Sequence, residues 1–283
     1  MRGLAFGAAL IPAVVFGMDI QGHRGARGLL PENTLPAFSR ALELGVDTLE
    51  LDTGVTKDGV VVVHHDRRLN PDVARLNGKW LMAPAPTIYS LTFDELQGYD
   101  VGRIRPGSEY AQRFPGQKPV DGTRIPRLSA LFSLAEPYKA MRFNIETKVS
   151  PDHPDETLQA EPFARALIAE IRKAGVERRT TIQSFDYRTL KIVEREAPEI
   201  DTVYLTEGRD SQPQKAKQAG AKIWSPDFRA LSAETVKEAH RLGLRVVVWT
   251  VNEPADLQRA RDWGVDGVIS DYPDRAIQLL RKS

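Results

Sequence analysis

The amino-acid sequence predicts an α/β fold, a (β/α)8 TIM barrel with a β-hairpin after its second strand and an insertion on the C-terminal face. Three observations carry that expectation. Short β-branched runs alternate with amphipathic helical stretches, the pattern of a parallel sheet with helical crossovers. The link before one of the runs is too short for a parallel crossover. Ionisable residues gather at the ends of the first strands, where barrels of this kind keep their sites.

Strands are expected at 18–23, 48–53, 60–64, 141–147, 180–183, 202–205, 222–224, 244–251 and 267–269. Helices are expected at 35–44, 127–138, 161–174, 187–196, 212–219, 233–242, 254–263 and 273–281. The first carries Leu35, Phe38 and Leu42 on one face, with Thr34 as N-cap and Gly45 as the stop. Only "TKDG" separates the second strand from the run beginning at Val60, and Asp58-Gly59 is a hairpin turn signal. The run at 60–64 is therefore a return arm, and eight parallel strands remain. A two-residue turn at Asp58-Gly59 sets His65 opposite Asp52, and a turn one residue earlier sets it opposite Glu50. In either register His65 shares the face of both carboxylates and His64 points away.

Residues 67–124 fit no βα unit. They are rich in Pro, Gly and Arg, with one short helix expected at 92–98, and loops this long usually serve function. With no repeat, low-complexity tract or linker in view, residues 18–283 read as one barrel domain carrying this insertion.

The 39 basic and 38 acidic residues are well mixed, which removes the basic stripe that nucleic-acid binding leaves. The absence of cysteine excludes disulfides, catalytic thiols and thiolate metal sites. No apolar run reaches the roughly 18 residues of a membrane span, so stable membrane insertion is not expected. Residues 1–17, "MRGLAFGAALIPAVVFG", place one arginine before a short apolar stretch and small residues at its end. They predict a cleaved export signal, a mature chain beginning near Met18, and a periplasmic or secreted protein. If the segment is retained, the protein is cytoplasmic.

Strand one ends in His23-Arg24, strand two carries Glu50 and Asp52, the return arm ends in His64-His65-Asp66, and strand three holds Glu146 and Lys148. Later strands end in Gln183-Ser184, Glu207, Ser225, Trp249-Thr250 and Ser270-Asp271. Glu50 and Asp52 share a face, as do Glu146 and Lys148. Three carboxylates at one barrel mouth repel one another unless a cation lies among them, and oxygen-only ligands suit Mg²⁺ or Ca²⁺ better than zinc. Two histidines supply general acid and base, and Arg24 and Lys148 suit a phosphate. Together these groups describe phosphoester cleavage. Singly each has a plainer reading: E-x-D is common on strands, Glu32 favours a helix N-terminus, and Trp249 fills core.

The segments "HRGARGLLPENTLPAF", "ELDTGVTKDGVVVVHHD" and "NIETK" resemble, in order and spacing, the signatures of glycerophosphodiester phosphodiesterases. The likeness extends to "IQSFD" and "VVVWTVNEP", and to "GYDVG" and "FPGQKPVDGTRIPRLSALFSL" around the insertion. It implies a metal-dependent hydrolase that splits glycerophosphocholine, glycerophosphoethanolamine and similar diesters into sn-glycerol 3-phosphate and an alcohol. By this resemblance His23 and His65 form the acid–base pair, and Glu50, Asp52 and Glu146 hold one divalent cation, Mg²⁺ or Ca²⁺. Arg24 and Lys148 contact the phosphate, Trp249 walls the glycerol pocket, and Glu32 and Asn33 shape the site. The doubled histidine of "HHDRRL" leaves His64 as the alternative, and the face argument favours His65. The runner-up function is a lysophospholipase D-type lipid phosphodiesterase on the same barrel, which needs an apolar channel. For it the insertion offers Trp80, Leu81, Met82 and Ile88 without a sustained amphipathic helix. A binding or scaffold protein on an inactive barrel would have lost a histidine or an acid, and none is lost. The oligomeric state is not written in the sequence.

Overall fold

The computed structural model describes residues 17–208 and 211–281, so the expected export signal at 1–17 lies almost wholly outside the described residues. Strand β1 (Asp19–Gly22) leads through a loop into helix α1 (Leu35–Leu44). The Thr34 side chain accepts from the Ala37 amide, a cap worth about 1 kcal/mol, and Gly45 closes the helix in the left-handed region. Strand β2 (Thr48–Val55) turns back into β3 (Val61–Val63). The insertion follows, with short strands β4 (Arg75–Leu76) and β5 (Lys79–Trp80), helix α2 (Phe93–Leu96), strand β6 (Tyr99–Asp100) and helix α3 (Glu109–Arg113).

Regular alternation resumes with α4 (Leu128–Ala135), β7 (Arg142–Thr147), α5 (Ala160–Ala174) and β8 (Thr180–Ser184). It continues through α6 (Tyr187–Glu196), β9 (Asp201–Thr206), α7 (Pro213–Gln218) and β10 (Ile223–Pro226). The chain ends with α8 (Ala233–Arg241), β11 (Arg245–Val248), α9 (Pro254–Trp263), β12 (Gly267–Ser270) and α10 (Pro273–Leu280). Parallel pairing runs β1-β12-β11-β10-β9-β8-β7-β2, and β2 returns to β1, so eight parallel strands close a barrel. Among the described residues, no helix is long and apolar enough to cross a membrane.

The barrel interior is divided. On the β9–β12 side it is apolar, built from Val203, Ile223, Val247 and Ile269. On the side of β1, β2, β7 and β8 it is polar and hydrogen-bonded throughout. Asn144 Nδ2 donates to Gln21 and to Gln183, each at 2.9 Å, and Gln183 Nε2 donates to Glu50 Oε1 at 2.7 Å. Most buried polar groups are paired in this way, and the chain of amides delivers a fixed donor to the floor of the mouth.

The hairpin register corrects both expectations. Thr53 pairs with Val63, and the Thr56 amide donates to the Val60 carbonyl, so the loop is three residues, Lys57-Asp58-Gly59. Gly59 takes the left-handed conformation (φ 83°) that a three-residue loop requires. His64, not His65, therefore lies opposite Asp52, and its amide donates to the Asp52 carbonyl at 3.0 Å. His65 lies beyond the ladder, where alternation no longer governs its direction.

The insertion carries its own small sheet, β5-β4-β6, and its own apolar cluster around Leu69, Val73, Leu96, Tyr99 and Ile125. It leans on the loop after β1. Lys118 N donates to the Leu29 carbonyl at 2.9 Å, and Gln117 Nε2 to the Arg27 carbonyl at 2.7 Å.

Candidate active site

The site begins where β1 ends. A Cβ on Gly22 would lie 2.3 Å from the Gly25 carbonyl oxygen, and one on Gly25, at φ 86°, would lie 2.7 Å from the Ala37 backbone. Only glycines permit this tight turn. The turn sets the Arg24 amide 2.9 Å from Glu50 Oε2, joining the first loop to β2.

The parallel register of β2 on β7 puts Asp52 beside Glu146. Glu50, Asp52 and Glu146 are buried, and one oxygen of each lies within 4.8 Å of the others. Their neighbours divide them electrostatically. Burial, then the Asp52 charge, pushes the Glu50 carboxyl well above its ordinary range. Burial raises Glu146 to about 7 against the pull of Lys148, whose Nζ is 2.7 Å away. Burial works the same way on Asp52, but Lys148 at 3.2 Å and Arg24 outweigh it and hold the carboxyl well below the usual value. Three acids in one dry space cannot all ionise without a further cation, and an all-oxygen donor set is what a hard divalent ion takes.

His23 Nδ1 lies 2.6 Å from Asp271 Oδ1, and its Nε2 lies 3.9 Å from Glu50 Oε2. Burial and the Arg27 charge pull the imidazole down to about 4, against Asp271. Asp271 is itself held far below the carboxylate range: burial opposes ionisation, but Arg27 and His23 overcome it. An ionised Asp271 only accepts, so Nδ1 carries the proton and the lone pair of His23 is at Nε2. Arg27 completes the group through Nε and a second nitrogen on the two Asp271 oxygens, at 2.8 and 3.0 Å. His65 is partly exposed, and its Nδ1 lies 2.6 Å from Asp66 Oδ1. Burial, Arg24 and Lys148 lower its pKa, and Asp66 works against them.

These side chains converge on a cavity of about 170 Å³. His23, Arg24, Glu50, His65, Glu146, Lys148 and Trp249 all line it, and Asp52 lies buried at the carboxylate group beneath. Every site residue expected from sequence is thus brought together. His64 does not line the cavity and is buried with Nε2 unpartnered. Trp249 leans on the apolar interior cluster and lines the cavity, with Phe185 edge-on at 5.6 Å. A second, polar cavity of about 260 Å³ adjoins the first and shares His65, Glu146, Lys148 and Phe185 with it.

Sequence reasoning gives Asp271, Arg27 and Gln183 no role at the site, and Asn33 only the role of shaping it. Asn33 Nδ2 donates to Asp52 Oδ2 at 2.9 Å. In the sequence Asp271 and Gln183 stand only as polar strand ends, and Arg27 sits in the same "HRGAR" stretch as His23.

Comparison with known proteins identifies the family. The model of the glycerophosphoryl diester phosphodiesterase family matches residues 23–275. The glycerophosphodiester phosphodiesterase of Caldanaerobacter subterraneus subsp. tengcongensis is 32% identical over 261 residues, spanning 92% of this chain and 96% of the relative. A crystal structure bearing the same family name, from Silicibacter pomeroyi DSS-3, superposes with a TM-score of 0.89 at 37% identity, over 94% of this chain and 93% of the other. A phosphodiesterase from Oleispira antarctica, solved with sn-glycerol-3-phosphate, shares the fold with a TM-score of 0.76 at 22% identity, over 94% and 98% of the two chains. The chain belongs to the glycerophosphoryl diester phosphodiesterase family and is a phosphoric diester hydrolase.

Proposed function

We propose that this enzyme hydrolyses glycerophosphodiesters with small head groups, such as glycerophosphocholine and glycerophosphoethanolamine, to sn-glycerol 3-phosphate and the free alcohol. One observation carries the reading: two carboxylate-oriented histidines and the basic side chains of Arg24, Arg27 and Lys148 line a single cavity, with the Glu50–Asp52–Glu146 cluster at its base. The Oleispira antarctica relative, solved with sn-glycerol-3-phosphate, supports the same class of ligand.

Glu50, Asp52 and Glu146 would hold one divalent cation, Mg²⁺ or Ca²⁺. Such a cation supplies the positive charge that polarises a phosphoryl oxygen. Arg24 and Lys148 bind and orient the phosphate oxygens. His23, with Nδ1 fixed by Asp271, takes a proton from the attacking water at Nε2 as the new P–O bond forms. His65 stands between the two cavities, its Nδ1 held by Asp66, and in its doubly protonated form delivers the Nε2 proton to the leaving oxygen as the old bond breaks. The alcohol then departs through the polar second cavity, and Trp249 stays against the glycerol.

A lysophospholipase D needs room for an acyl chain. The two cavities measure about 170 and 260 Å³, and Trp80, Leu81, Met82 and Ile88 line neither of them. The cavities therefore favour small diesters. The same reading takes the enzyme to be exported, on the strength of residues 1–17. Incubation with glycerophosphocholine and each metal in turn tests the function. Equimolar choline and sn-glycerol 3-phosphate are expected, and release of phosphocholine with glycerol would refute it.

A further inference from the structure

The insertion supplies none of the groups given a chemical role above, yet it reaches both arginines that line the first cavity. Arg24 donates through a terminal nitrogen to Glu32 Oε1 at 2.7 Å. The other oxygen of that carboxylate accepts a hydrogen bond from the hydroxyl of Tyr110, in α3. Just past α3, Phe114 lays its ring against the Arg27 guanidinium, 4.8 Å from the ring centroid, and packs edge-on to Tyr110 at 5.4 Å. Tyr110 rests on the insertion's own apolar cluster, so its hydroxyl is presented from a packed base.

The consequence follows from geometry. Arg24 lies between two carboxylates, Glu32 on one side and Asp52 on the other, with Nε 3.1 Å from Asp52 Oδ2. The Asp52 contact is an ion pair, since Arg24 Nε makes no hydrogen bond, so the hydrogen bond to Glu32 is the directional hold that sets the guanidinium plane and which N–H groups face the cavity. Glu32 lies in the loop after β1 and holds its own orientation only while both its oxygens are engaged. Remove the Tyr110 hydroxyl and one oxygen is released, the carboxylate gains rotamers, and Arg24 loses one side of its grip.

We propose that Tyr110, acting through Glu32, is a positioning residue that fixes the Arg24 guanidinium for the phosphate of the diester, which makes the insertion a working part of the phosphate site. This rests on the phosphate role given to Arg24 under the proposed function.

The test is the inhibition constant of sn-glycerol 3-phosphate for the parent enzyme and for Tyr110→Phe, Glu32→Gln, their double variant and Arg24→Lys. Tyr110→Phe removes one oxygen and keeps the ring. It should weaken inhibition roughly tenfold, as loss of a group that orients a ligand-binding side chain does elsewhere. Glu32→Gln should weaken it at least as much, and Tyr110→Phe should then add less than twofold, because the route through Glu32 is already cut. A merely structural role would give additive losses, so a full repeat of the Tyr110→Phe effect in the Glu32→Gln background overturns the proposal. Unchanged inhibition in Tyr110→Phe overturns it too, and weakening in Arg24→Lys would then leave the phosphate role of Arg24 standing. Unchanged inhibition in Arg24→Lys removes that role, and the proposal with it.

Discussion

His23 and Asp271 are 248 positions apart in the chain, and Nδ1 of one lies 2.6 Å from a carboxylate oxygen of the other. Closure of the barrel makes this contact, because β1 pairs with β12 and each residue follows the end of its strand. The Asp271 carboxylate does three things at once. It fixes the His23 tautomer, it holds Arg27 in a fork, and it accepts from Asn252 Nδ2 at 2.7 Å.

Asp271→Asn should therefore damage turnover while leaving the fold in place. An asparagine amide can donate to Nδ1, which moves the imidazole proton to Nε2 and removes the lone pair from the reacting nitrogen. A kcat lower by about 100-fold or more is expected, within the range of general acid–base catalysis. Steady-state kinetics beside a circular dichroism spectrum would check it. Parent-like kcat would free the tautomer from any part in catalysis.

The two histidines of the cavity should matter far more than the third. His23→Ala and His65→Ala are each expected to lose about 10²–10⁴-fold in kcat. His64 lines neither cavity, and His64→Gln should stay within about tenfold of the parent. The three rates measured side by side decide which member of the doubled pair works, and a collapse in His64→Gln with an active His65→Ala would reverse the assignment.

That assignment shows what the sequence could and could not reveal. Helix α1 was readable to the residue, because Thr34 and Gly45 mark its ends by local hydrogen bonding and by a left-handed φ. Helices α6 and α9 were equally plain from periodicity. The register of β2 on β3 was not, since a glycine after Asp58 suits a two-residue or a three-residue loop, and one residue decides which histidine opposes Asp52. His65 reached the cavity for a reason other than the one its strand position offered. The two-residue strands of the insertion are too short to show any period. The Asp271 contact was beyond reach because alternation gives the face of a strand and not the residue across a closed barrel.

Chelation should silence the enzyme. Without a cation, burial and mutual repulsion hold protons on part of the Glu50–Asp52–Glu146 group, and Lys148 is drawn onto Asp52 and Glu146. Activity in EDTA is expected to fall below detection and to return on addition of Ca²⁺ or Mg²⁺. The same ion at 100 times its Kd should add about 2.7 kcal/mol of stability, visible as a rise in melting temperature. Persistent turnover after exhaustive dialysis against chelator would take the cation out of the reaction.

Acid should unfold the metal-free protein partly through Asp271. Burial alone would favour its neutral form, but Arg27 and His23 hold its pKa below that of the unfolded chain. A carboxyl depressed in the folded state binds fewer protons there than when unfolded, so stability rises with pH across the interval between the two values. The contribution is complete above the unfolded value of about 3.9 and drains away as pH falls below it. In Asp271→Asn that group no longer titrates, and Arg27 is left half-paired at every pH. The variant should thus be less stable than the parent at pH 6, with the gap narrowing steadily between pH 4 and pH 2. Urea midpoints taken across that range read the difference directly. A gap that stayed constant to pH 2 would mean that the carboxylate's ionisation contributes nothing to holding the first and last strands together.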